Sequence, residues 1–201
     1  LFWNPQSRIH ILFLVIWEPI KKLGIEYEFY SVDFRIDPIF NKELVKDEVF
    51  LYSDIYGIKC ETVKKLTTRF GKQLIVDNTH AFFSKPYEGI DTIYSPRKFF
   101  GLPDGAYLYT DVLLSEEFDK DDAIPHMTHL MKRIESGNAS EGYNDYLSYC
   151  NSLINQPIKQ MSNLGEALLK SLDYEDLKNK QIRNFRYLHQ QLGGDNSYQF
   201  D

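Results

Sequence analysis

Residues Leu74–Thr110 read LIVDNTHAFFSKPYEGIDTIYSPRKFFGLPDGAYLYT, and their pattern decides the fold class. Leu74-Ile75-Val76 is an unbroken apolar run, as expected of a strand buried on both faces in a parallel sheet. Asp77 stands at its carboxyl end. Thr92 to Tyr94 and Ala106 to Tyr109 supply two further short strands, separated only by the Pro96 to Gly105 loop. No helix fits in that loop, so at least one of these neighbours is expected to run antiparallel.

Upstream, Ile9, Ile11 and Phe13 alternate as a strand would, and Ile16 to Leu23 follows as a short helix closed by Gly24. Ile25 to Val32 alternates again. Asp37-Pro38 has the chemistry of a helix start, an N-capping acid followed by proline at the first helical position. Val49 to Tyr52 forms the next strand and ends in the loop Ser53 to Gly57. Glu61 to Phe70 then places Val63, Leu66 and Phe70 on one helical face, with Gly71 as the stop. Repeated alternation of strand and helix predicts an α/β fold, helices covering a mixed, mostly parallel central sheet in a three-layer sandwich. Ligands of such sheets collect outside the carboxyl ends of the strands.

Beyond Thr110 the texture becomes mainly helical. Ile124 to Ile134 and Tyr143 to Leu172 carry helical patterns. Leu177, Ile182, Phe185, Leu188 and Leu192 mark one face of a long helix ending at Gly193-Gly194. His126 and His129 show no partner pattern and are expected on a solvated face.

The 201 residues are 43% hydrophobic and 15% aromatic, enough to bury a full core. A net charge of -6 and a pI near 5.4 argue against a surface built for nucleic acid or anionic membrane. Small molecules and proteins are the partners this leaves. Cys60 and Cys150 lie far apart without CxxC or metal-ligand spacing, the usage of reduced cytoplasmic thiols, and no metal site is expected. The apolar run Ile9 to Trp17 is too short to span a bilayer as a helix.

Asp77 and Lys98 are the main candidates for chemistry. A carboxylate at the end of a buried strand needs a partner, and desolvation among Phe99 and Phe100 would make the Lys98 amine more nucleophilic. Spacing alone leaves a capping acid and a surface lysine as the alternative. Pro96 restricts Ser95 to an extended backbone, from which its hydroxyl can donate to a phosphate. His80 follows one turn after Asp77. The GLPDG loop (Gly101 to Gly105) reads first as a hairpin-type turn.

Taken together, the strand leading to Asp77-Asn78-Thr79-His80, the strand leading to Ser95-Pro96-Arg97-Lys98, and the following Gly101 and Asp104-Gly105-Ala106 resemble the fold-type I pyridoxal-phosphate enzymes. The likeness is to the sugar aminotransferases of the DegT/DnrJ/EryC1/StrS family. It covers Asp47 to Thr110 well and the flanking helices loosely. The resemblance implies pyridoxal 5'-phosphate as cofactor, bonded covalently through its aldehyde to Lys98, which would also move the proton during catalysis. Asp77 would hold the pyridine nitrogen protonated, Ser95 would bind the phosphate, and His80 would lie near the ring. Glutamate as amino donor, a nucleotide-linked keto-sugar as acceptor and a homodimer are implied as well. Another reaction on the same cofactor, such as sugar dehydration, and a non-catalytic binding role are the alternatives. On this reading residues 1–112 are the core of the cofactor-binding large domain. Residues 113–195 complete it with helices, and residues 196–201 begin a further domain of a longer chain.

Overall fold

The computed structural model describes residues 2–3, 18–154 and 156–195. The chain forms two compact units. The first holds the described residues up to Tyr94 together with Leu108–Asp111; the second holds Ser95–Tyr107 and the described residues from Val112 onward.

The first unit is built on a sheet. Its strands are β1 (Phe2–Trp3), β2 (Glu28–Phe29), β5 (Phe50–Ser53), β6 (Leu74–Asp77), β7 (Asp91–Tyr94) and β8 (Tyr107–Tyr109), in the order β2-β1-β5-β6-β7-β8; β3 (Ser31–Val32) and β4 (Pro38–Ile39) form a separate two-stranded sheet. Every pairing among β2, β1, β5, β6 and β7 is parallel. The expected α/β class with a mostly parallel sheet is therefore present. The register sets Ser53 opposite Asp77, and Asp77 opposite Ile93. Helix α1, described over residues 18–22, is followed by Gly24 at φ +65°, the left-handed stop that its position after the helix predicts.

Helix α2 (Cys60–Phe70) covers one face of this sheet. Val63, Leu66 and Phe70, at helical spacing, pack with Phe50, Tyr52, Leu74, Val76 and Ile90 in one buried cluster. Each such side chain contributes about 1.5–3 kcal/mol through burial. Because side chains alternate along a strand, Val76 on the α2 side puts Asp77 on the opposite face. The acid at the strand end is thus separated from the apolar core by the sheet itself.

Two expectations upstream are corrected. Asp37-Pro38 does not start a helix: Pro38–Ile39 pairs antiparallel with Ser31–Val32. The Asp33 carboxylate accepts the backbone N–H groups of Arg35 at 2.8 Å and Asp37 at 2.9 Å, and Ile36 takes φ +65°. That clamp closes a turn, while the Asp37 side chain accepts the Lys59 ammonium at 2.8 Å and the Thr62 hydroxyl instead of capping its own backbone. Likewise Ile25 to Val32 is not one strand but two short ones, in different sheets, flanking the buried Tyr30, whose hydroxyl donates to the Leu51 carbonyl at 3.1 Å. The expected strand at Ile9 to Phe13 and the strand-like Ser197 to Phe200 lie outside the described residues.

The second unit is helical: α3 (Thr128–Ser136), α4 (Tyr143–Ser152), α5 (Asn163–Lys170) and α6 (Tyr174–Leu192). Pro125 keeps Ile124–His126 as a 3-10 turn ahead of α3. Asp173 caps α6, accepting the Asp176 N–H at 3.0 Å. The periodic face of α6 forms as the spacing predicts, yet Phe185, Leu188 and Leu192 are all exposed. No helix among the described residues is long and apolar enough to cross a membrane.

Candidate functional site

Asp77 ends β6 and is 4% exposed. Its carboxylate is held at both oxygens: the Ser53 hydroxyl donates to Oδ2 at 3.0 Å, and the Thr79 backbone N–H donates to Oδ1 at 2.9 Å. Ser53 can do this because parallel register sets it beside Asp77, a partnership between residues 24 apart that local sequence does not display. Each oxygen retains acceptor capacity, since an ionised carboxylate has about four lone-pair sites. The result is an oriented acceptor at the carboxyl end of a central parallel strand.

Two loops beyond these strands meet. The Asp54 N–H donates to the Asp77 carbonyl at 3.0 Å, and a Cβ on Gly57 would lie 3.4 Å from that of Ala81. Gly57 has φ +70°, and Tyr56 before it takes φ +59°, a conformation costly for a side chain of that size. The strained turn sets the exposed Tyr56 ring against His80, centroids 5.6 Å apart and 25° from parallel. His80 is half-buried in this stack. Asp77 and His80 thus belong to the same strand end.

Ser95 and Lys98 belong to the second unit. They follow directly on β7, the register neighbour of β6. Pro96–Lys98 is a 3-10 turn in which the Lys98 N–H donates to the Ser95 carbonyl at 3.1 Å. Ser95 has φ −123° and ψ 87°, outside the helical region that its proline neighbour disfavours, and its side chain makes no capping hydrogen bond. Lys98 is exposed, not enclosed by Phe99 and Phe100.

The GLPDG loop is more than a hairpin turn. Asp104, 5% exposed, accepts the Ser162 N–H at 2.6 Å and the Ser162 hydroxyl at 2.9 Å, while Ser162 Oγ accepts the Gly165 N–H at 2.9 Å as the N-cap of α5. Gly105, at φ +108°, leaves room for Met161, whose Cε would lie 2.6 Å from an added Cβ. The loop following Lys98 is thereby pinned to the start of α5. Ser162→Ala is expected to lower stability by about 1–2 kcal/mol, read as a lower urea midpoint by circular dichroism.

His126 and His129 are buried, 8% and 6% exposed, and so are not on a solvated face. Both pack on the Tyr149 ring, at centroid distances of 4.6 and 5.8 Å. Arg97, next to Lys98, donates to the Tyr149 hydroxyl at 2.7 Å. His126 Nε2 faces Asp121 at 3.4 Å beside a 470 Å³ cavity. Burial opposes ionisation of Asp121, but the Lys159 ammonium 2.8 Å away outweighs it and holds the carboxyl below its ordinary range. The covering ring comes from α4, about 20 residues beyond the two histidines, and is itself held by Arg97, 52 residues before it, a relation that helical spacing does not display.

Burial, then the Arg133 charge, push the His129 pKa below its ordinary 6.5. Below that value the unfolded chain binds more protons at this site than the folded one, so folding stability falls as pH drops from 6.5 toward the depressed folded value. A His129→Gln chain should show a flatter loss of melting temperature between pH 7.5 and 5.5, measured by calorimetry.

Comparison of the chain with protein-family models, with curated proteins and with solved structures finds no match.

Proposed function

We propose that this chain carries the cofactor site of a pyridoxal-phosphate-dependent aminotransferase, moving an amino group from glutamate to a nucleotide-linked keto-sugar. The reading includes a three-layer large domain of fold type I, a homodimer and a cytoplasmic setting. The observation that carries it is Asp77: a buried, doubly oriented carboxylate at the carboxyl end of a central parallel strand. Its remaining lone pairs suit a protonated ring nitrogen. Ser95, with an uncapped hydroxyl ahead of a 3-10 turn, suits a phosphate, and the exposed Lys98 amine suits an aldehyde. Taken one by one, these side chains have the chemistry that group needs.

When bound, pyridoxal phosphate supplies an aldehyde carbon and an electron-withdrawing ring. Asp77 would accept a hydrogen bond from the ring N–H and keep that proton in place, with Ser53 and Thr79 holding its carboxylate in one orientation. Ser95 would donate its hydroxyl proton to a phosphate oxygen. Lys98, once its amine is released, would take a proton from the substrate carbon and return it one position away, the work of a general base and then of a general acid. His80, braced by Tyr56, would border the ring.

The test is spectroscopic. The full chain mixed with pyridoxal phosphate should develop a saturable visible absorbance band, and glutamate should convert it to the spectrum of the cofactor's amine form. A chain that never develops the band does not hold this cofactor. A band that glutamate leaves unchanged retains the cofactor site and removes transamination.

A further inference from the structure

The first unit holds a second cavity, on the α2 side of the sheet and so on the face opposite Asp77. It measures 280 Å³, and Asp54, Val63, Val76, Asn78, Tyr87 and Thr92 are among its lining. Three of its buried polar groups, Asp54, Asn78 and Thr92, offer acceptors.

Asn78 is the most informative. It is 3% exposed, and its Oδ1 has no hydrogen-bond partner among the described residues. Its side chain is hydrogen-bonded to the Tyr94 phenol. The single Tyr94 hydroxyl proton already goes to the Ser84 carbonyl at 3.0 Å. The phenol oxygen can therefore only accept from Asn78, which must present its NH₂ there. This network fixes the amide orientation and leaves Oδ1 as the orphan. A buried acceptor left unpaired costs about 1–3 kcal/mol.

The neighbouring groups agree. The Thr92 hydroxyl, 1% exposed, donates to the Ile90 carbonyl at 3.1 Å, so only its lone pairs face outward. Asp54, 2% exposed, accepts the Lys59 N–H at 3.0 Å and has Ser84 as a further partner. Burial pushes the Asp54 carboxyl above its ordinary range, a cost that a bound cation would offset. Val63, Val76, Pro86 and the Tyr87 ring supply the apolar wall, and Cys60 and Ser84 complete the lining with Lys85, which is itself exposed.

We propose that this cavity is a binding site for a small organic ammonium compound, its N–H groups on Asn78 Oδ1, Thr92 Oγ1 and the Asp54 carboxylate and its hydrocarbon part on Val63, Val76 and Tyr87. The three buried acceptors call for a ligand that brings donors. The apolar wall and a volume well above that of one ion select an alkylammonium over an alkali cation. The site stands independently of the cofactor reading, since none of its groups is among those assigned to pyridoxal phosphate.

The experiment is an NMR titration of the full ¹⁵N-labelled chain at pH 7 with n-propylammonium, beside parallel titrations with 1-propanol and potassium. Saturable shifts of the Asn78 side-chain NH₂ and of the Val63 and Thr92 amides with propylammonium alone are the expected result. A Thr92→Val chain, close in shape, should bind roughly tenfold more weakly. Equal shifts with 1-propanol would reduce the site to an apolar pocket, and full competition by potassium would make it an inorganic cation site. Absence of any saturable shift would mean that a buried water serves Asn78. Each of these three outcomes overturns the proposal, and all are read on the unsubstituted protein.

Discussion

A Lys98→Ala (K98A) chain treated with pyridoxal phosphate and borohydride should carry no pyridoxyl label, whereas the unsubstituted chain is labelled on Lys98. Amine exchange from glutamate should fall by about 10²–10⁴-fold, the usual contribution of a positioned general base. The physical ground is that an exposed primary amine in the turn after β7 follows the strand in register with the one that ends in the buried Asp77. Lys98 lies outside the buried core, so the far-UV circular dichroism of the variant should match that of the parent. Mass spectrometry of the reduced, digested protein reads the label directly. Persistence of full biological activity in this variant would favour a non-catalytic binding role, and a label on another lysine would reassign the nucleophile.

Phe50→Ala should be the most destabilising single substitution in the first unit, by about 3–5 kcal/mol. Phe50 is 0% exposed and lies in the middle of an aromatic stack. Its ring is 4.6 Å from that of Tyr30 and 4.8 Å from that of Phe70, both near parallel, with Phe40 tilted at 5.0 Å. Truncation removes the burial of one ring and leaves three others facing a void, since a close-packed interior relaxes only in part. Phe50→Leu keeps most of the volume and should cost less than half as much. Urea denaturation followed at 222 nm measures both, and equal midpoints for Phe50→Ala and the parent would show that the stack does not hold the sheet.

The candidate site divides in the same way as the fold between what is written locally and what is not. Asp77, His80, Ser95 and Lys98 were visible as residues at the ends of two strands. Ser53 was not, because its relation to Asp77 arises from strand register across 24 residues. Asn78 carries no local signal beside Asp77, for its importance lies in the Tyr94 hydroxyl proton going to Ser84. Two phenylalanines follow Lys98, but adjacency in sequence does not create burial, and the 3-10 turn leaves it exposed.

The sequence by itself determined the α/β class of the first unit, the parallel strand Leu74–Asp77, helix α2 and the stop at Gly24, because each depends on periodicity and on the backbone freedom of glycine within a few residues. Only the tertiary structure decided that Pro38 opens a strand and that His126 and His129 are buried against Tyr149. It also decided that Asp104 is bound to the start of α5 and that Asp54, Asn78 and Thr92 meet around one cavity. The physical reason is common to all four. A polar side chain takes its role from whichever donor or acceptor the fold brings beside it, and such a partner can stand as far away in the chain as Ser162 does from Asp104, 58 residues.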